Sequence, residues 1–78
     1  MNPASPADPR PVVVRATPIE LAQFIKFGGL AESGGAAKQA ISQGRVLVNG
    51  VAETRKGRKL VVGDQVAFGG QTLVVASQ

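Results

Sequence analysis

A chain of 78 residues has room for one small core, because a domain near that size buries only about 60% of the surface its unfolded chain exposes. It contains no cysteine and no histidine, so a disulfide framework, a thiolate or imidazole metal site and an imidazole acid/base pair have no members. The formal charge of +4 is unevenly placed: Lys38 to Lys59 holds six of the nine cations and only one of the five carboxylates, a local excess of five positive charges that favours a polyanionic partner over an evenly solvated surface.

Four of the five prolines fall within residues 1–11, among small and polar residues, and this predicts a disordered tail preceding one domain over residues 12–78. Val12, Val13 and Val14 suit a first strand or an extended lead-in that ends at Thr17-Pro18. A helix is expected to open at Thr17-Pro18-Ile19-Glu20, with the Thr17 hydroxyl as cap, Pro18 in the first turn and Glu20 reaching back. Leu21, Ala22, Phe24 and Ile25 then lie on one arc, Gln23 and Lys26 point away, and Gly28-Gly29 ends the helix. Phe27 lies off the arc. It is expected to pack under the glycine loop, the alternative being an exposed apolar spot.

Leu30-Ala31-Glu32 connects to a second helix capped by Ser33 and stopped at Gly44. Ala36, Ala37, Ala40 and Ile41 share its inner face, where small side chains allow close approach to a neighbour; Lys38, Gln39 and Ser42 share the other. The period then changes to two. Arg45 to Val48 and Val51 to Glu53 flank Asn49-Gly50, both of which accept the positive φ of a type I′ hairpin turn. After a basic loop over residues 54–59, Leu60 to Val62, Gln65 to Phe68 and Gln71 to Val75 read as strands separated by Gly63-Asp64 and Gly69-Gly70. The order of elements predicts an α+β domain.

No glycine pair belongs to a mononucleotide or dinucleotide phosphate loop, although Gly34-Gly35 leaves amides at the start of the second helix open to an anion. The carboxylates are dispersed, with no pair spaced for acid/base work, so no catalysis and no cofactor are expected. Three phenylalanines, all expected in the core, are too few for a platform that stacks unpaired bases; recognition would rest on phosphates and the shape of folded RNA. No apolar run reaches the ~20 residues of a membrane span, and there is no signal-like start, which predicts a soluble cytoplasmic protein.

Ser33 to Gly50, with its Val-x-Val-Asn-Gly strand and turn, followed by Lys59-Leu60-Val61-Val62-Gly63-Asp64-Gln65-Val66, resembles the RNA-binding domain named after ribosomal small-subunit protein S four, in particular its small stand-alone bacterial members. The resemblance covers about Ile19 to Phe68. It implies two short helices in an L-shaped arrangement on a small, mostly antiparallel twisted sheet of four or five strands. It also implies a module without a catalytic domain that binds structured RNA, ribosomal or transfer-type, through the second helix and the hairpin; the expected partners are such RNA and the ribosome, and the expected state is a monomer. Carried over, its contacts are Ser33, Lys38, Gln39, Arg45, Asn49, Arg55, Lys56 and Arg58. Where family members commonly carry a basic residue after the capping serine this chain has Gly34, which shifts weight to Arg55, Lys56, Arg58 and Lys59. The competing expectation is a protein-interaction module of ubiquitin-like, sulfur-carrier-like topology, lacking carrier activity because the chain ends Val75-Ala76-Ser77-Gln78.

Overall fold

The computed structural model describes residues 9–77. Its elements are β1 (Pro9–Val14), β2 (Ile19–Glu20), α1 (Leu21–Phe27), α2 (Gly34–Ser42), β3 (Leu47–Val48), β4 (Val51–Ala52), β5 (Lys59–Leu60), β6 (Gln65–Phe68) and β7 (Gln71–Ser77). Five strands form one sheet in the order β1-β7-β6-β3-β4, antiparallel throughout except for the parallel pair of β1 with β7, and β2 pairs with β5 in a separate two-stranded ladder. Two short helices beside a five-stranded sheet match the α+β expectation and remove the ubiquitin-like alternative, which needs one long helix gripped by the sheet.

The core is where the two helices meet the sheet. Leu21, Phe24 and Ile25 of α1, with Ala37, Ala40 and Ile41 of α2, bury against Val46, Val48, Val66, Leu73 and Val75. Each large apolar side chain so enclosed stabilises the fold by roughly 1.5–3 kcal/mol relative to exposure. Gly28, at the end of α1, sits so close to Leu73 that an added Cβ would collide with the Leu73 Cδ1 methyl, so the sheet and the helix end meet without room for a side chain.

Several expectations need correction. The first strand begins at Pro9, so Pro9 to Pro11 belong to the sheet; residues 1–8 of the expected tail lie outside the described residues. The partner of this strand is β7, at the other end of the chain, in a register of Pro9 with Thr72 through Val14 with Ser77 that no local pattern could announce. The first helix starts at Leu21 and has no side-chain cap. Ile19 and Glu20 instead pair with Leu60 and Lys59, and the first helical amides are satisfied from the basic loop: Leu21 N donates to the Arg58 carbonyl (2.8 Å) and Ala22 N to the Lys56 carbonyl (3.4 Å). A tertiary cap has displaced the local one.

Phe27 is 63% exposed and does not reach under the glycine loop. Ala36, placed on the inner face by helical periodicity, is also exposed, because the contact of α2 with its neighbours covers only Ala37, Ala40 and Ile41. Leu60 is the last strand residue of its run: Val61 and Val62 lie in the turn that Asp64 closes by accepting the Val61 amide (2.9 Å), and both are exposed. By contrast, the second helix is capped as expected, Ser33 Oγ accepting from Ala36 N at 3.1 Å, and Gly44 adopts φ +72 just beyond its end. Asn49 (φ 52) and Gly50 (φ 85) make the left-handed hairpin turn between β3 and β4.

Candidate nucleic-acid interface

The basic loop is positioned by both helices. At its start the Thr54 methyl lies against Gly44, where an added Cβ would meet it at 3.9 Å; at its end the Lys56 and Arg58 carbonyls cap α1. The loop therefore runs from the C-terminal end of α2 to the N-terminal end of α1. Lys38 projects from the middle of α2 into a shallow depression that it shares with Gly34, Ala22, Gln23, Glu20 and Lys26. Ala22 lines this depression and its amide donates to the Lys56 backbone carbonyl, which brings the backbone of the basic loop to the same turn of α1. Among the described residues, Lys26, Lys38 and Lys56 make no ion pair and no side-chain hydrogen bond. Lys26 is absent from the contacts expected of the sequence; its place on the polar side of α1 is the available signal, but only the crossing of the helices sets it beside Lys38.

Arg55 and Arg58 are engaged differently. Both converge on the carboxylate of Glu53, which is nearly enclosed: Arg55 Nε donates to Oε2 at 2.9 Å, Arg55 Nη2 to Oε1 at 3.2 Å, Arg58 Nη1 to Oε1 at 2.7 Å, and the Arg55 backbone amide to Oε2 at 3.0 Å. The side-chain bonds from Arg55 and then Arg58, with the Arg55 amide, outweigh the opposing effect of burial and hold the Glu53 carboxyl at about 2. The same contacts push the Arg55 guanidinium upward. The knot fixes the loop's conformation, yet the Arg55 side chain remains 75% exposed and that of Arg58 32%, so their outer N–H groups still face solvent. Lys59 pairs with Glu20 across the β2–β5 ladder at 3.3 Å, an exposed contact of the kind worth about 0–1 kcal/mol.

Gln39 and Arg45 occupy a second depression, between α2 and β6. Arg45 lies over the Phe68 ring, 5.6 Å from its centroid, and donates to the Gln43 side-chain oxygen at 3.4 Å. Ser33 and Asn49 do structural work: the first caps α2, and the second ties two turns together, accepting from the Gln65 amide (2.9 Å) and donating to Asp64 (3.2 Å). Thus the nine expected contacts fall into Lys38 in the helix-junction depression, Lys56 on the basic loop, an arginine knot on that same loop, a separate Gln39–Arg45 depression, a ladder cation and two residues occupied in caps and turns. Among the described residues there is no group of three His, Cys, Asp or Glu side chains able to hold a metal ion.

The sequence model of the S4 domain matches residues 12–76, five-sixths of the chain. The chain belongs to the S4 domain family. Bacterial relatives accompany the S4 match. The protein named "Putative RNA-binding protein YbcJ" from Escherichia coli (strain K12) is 44% identical over 59 residues, 76% of this chain and 84% of that one. The protein named "Probable ribosome maturation protein RlbA" from Bacillus subtilis (strain 168) is 43% identical over 60 residues, 77% of this chain and 84% of that one. The solution structure of E. coli YbcJ, described as revealing an αL motif involved in RNA binding, superposes with a TM-score of 0.63 at 36% identity, covering 94% of this chain and 89% of that one. In this S4 domain the corresponding helix pair is α1 and α2.

Proposed function

We propose that this S4 domain is a non-catalytic RNA-binding module that recognises structured RNA, ribosomal in type, in the cytoplasm. The observation that carries the proposal is the placing of Lys26 and Lys38 in one depression at the junction of α1 and α2, with the basic loop that carries Lys56 bonded through its backbone to α1 and no carboxylate pairing any of the three lysines among the described residues. Glu20, the one acid lining that depression, is paired with Lys59, which reduces its opposition to a phosphate. A face of unpaired lysines on a rigid helix pair supplies the sequence-independent attraction to a phosphate backbone, and the arginine knot alongside presents planar guanidinium groups suited to phosphate oxygens. Few aromatic rings and short helices with few polar side chains suit the shape of a folded RNA better than base reading in a DNA major groove.

The relatives' names support RNA as partner and point toward the ribosome. Among the described residues no helix is long and apolar enough to cross a membrane. Crosslinking the protein to RNA in cells and sequencing what is recovered tests the reading. Enrichment of ribosomal RNA segments containing helical stems is expected. Recovery of protein partners that survives nuclease treatment, with no RNA enrichment, would overturn it.

A further inference from the structure

The depression between α2 and β6 is chemically unlike the lysine cluster. It has a volume of about 330 Å³ and is lined by Ala36 and Ala40, one carboxylate, Glu32, two amides, Gln39 and Gln43, and the stacked pair of Arg45 on Phe68. A carboxylate on a surface that receives a polyanion opposes binding unless a donor from that partner meets it. Among the described residues Glu32 accepts no hydrogen bond and makes no ion pair, and the Gln39 side-chain amide has no partner. The Gln43 side-chain oxygen is occupied by Arg45, which leaves its NH₂ free to donate outward. The arrangement is therefore an unpaired anion acceptor beside amide donors, over a small-residue floor, with a guanidinium held at the rim by a ring and an amide.

The geometry points to a pocket for one unpaired guanine base of the bound RNA. Guanine alone among the four bases presents two adjacent donors, N1–H and the N2 amino group, beside an acceptor, O6. The donors match the two oxygens of Glu32, and O6 matches the NH₂ of Gln39 or Gln43. The small side chains of Ala36 and Ala40 leave space for a flat ring, and Ala36, exposed where periodicity expected it buried, lines this recess. Arg45, fixed by Phe68 and Gln43, is placed to take the phosphate that follows the base. The inference rests on the reading of the chain as an RNA-binding module and adds to it a base preference that phosphate contacts cannot supply.

The test uses the four ribonucleoside 5′-monophosphates, which share a phosphate and differ in base, titrated into the ¹⁵N-labelled full chain while side-chain amide and Arg Nε–H signals are followed. GMP is expected to bind about tenfold more tightly than AMP, CMP or UMP, as a bidentate base contact implies, and to shift the Gln39, Gln43 and Arg45 side-chain signals. Glu32→Gln, an exposed substitution whose spectrum reports its own folding, should erase the preference while leaving the weak binding common to all four. Equal binding of all four, shifts confined to the lysine cluster, or a preference that survives Glu32→Gln would each overturn the pocket. The RNA-binding reading is judged separately, on the parent chain: salt-dependent binding to a stem-loop RNA with no preference for GMP would overturn the pocket alone, whereas a parent chain that binds no stem-loop RNA would overturn that reading.

Discussion

Replacing Lys26, Lys38 and Lys56 together by alanine separates electrostatic recognition from folding, because none of the three makes an ion pair or side-chain hydrogen bond among the described residues and all are exposed. With Arg45, Arg55 and Arg58 they supply about six phosphate contacts, and at about 0.9 in log-log slope per contact the parent's affinity should vary with salt at a slope of about −5.4. Between roughly 50 and 200 mM salt that is a loss of about 2,000-fold. The triple variant, keeping about three contacts, should lose only about 40-fold over the same range. Anisotropy of a labelled stem-loop RNA measures both slopes, and thermal melting should show the two proteins equally stable. A triple variant with the parent's slope and affinity would refute the lysine junction as the binding face.

The opposite change is available at Gly34, which lines the same depression, lies in the first turn of α2 and has only open space where a side chain would begin: Gly34→Arg should steepen the salt slope by about one unit and tighten binding at low salt. Glu53 predicts the acid response. Its folded carboxyl titrates at about 2 against an ordinary 4.5, so its contribution is fully present above about pH 4.5 and is lost as pH falls toward 2. Melting curves across that window should show a steeper acid loss for the parent than for Glu53→Gln, and parallel curves would contradict the knot. Asn49→Ala leaves at φ 52 a residue without the polar side chain that tolerates this left-handed conformation, and removes the bonds to Gln65 and Asp64, which should cost about 2 kcal/mol in denaturant unfolding. Phe27→Ser should change stability by no more than about 0.5 kcal/mol, whereas Phe24→Ala should cost about 3–5 kcal/mol, the contrast following from 63% exposure against full burial.

The parts of this fold that are legible in the sequence are those whose cause is local. Ser33 caps α2 because its hydroxyl is three residues from a free amide, and Asn49-Gly50 turns because those two residues tolerate positive φ. Local reading fails where a distant segment competes. Thr17 loses the first helix to carbonyls from Lys56 and Arg58, far along the chain, and Ile19-Glu20 becomes a strand because Lys59-Leu60 offers it backbone partners. In the candidate interface the six clustered cations are visible as a charge excess. Their division into two unpaired lysines, two arginines fastened to Glu53, one ladder cation and one arginine stacked on Phe68 is not, since Glu53 reads as an ordinary strand-end acid until both guanidiniums close on it.

Sequence by itself determined that this chain would be a small α+β domain with a serine-capped helix, an Asn-Gly hairpin and a concentration of positive charge, since each depends on residues within one turn of helix or one hairpin of each other. Tertiary structure alone decided which cations remain free, that Lys26 and Lys38 share one depression, and that Glu32, Gln39 and Arg45 border one recess. Those facts follow from how two short helices cross and where the basic loop passes between their ends, and backbone hydrogen bonds formed across long stretches of chain set both.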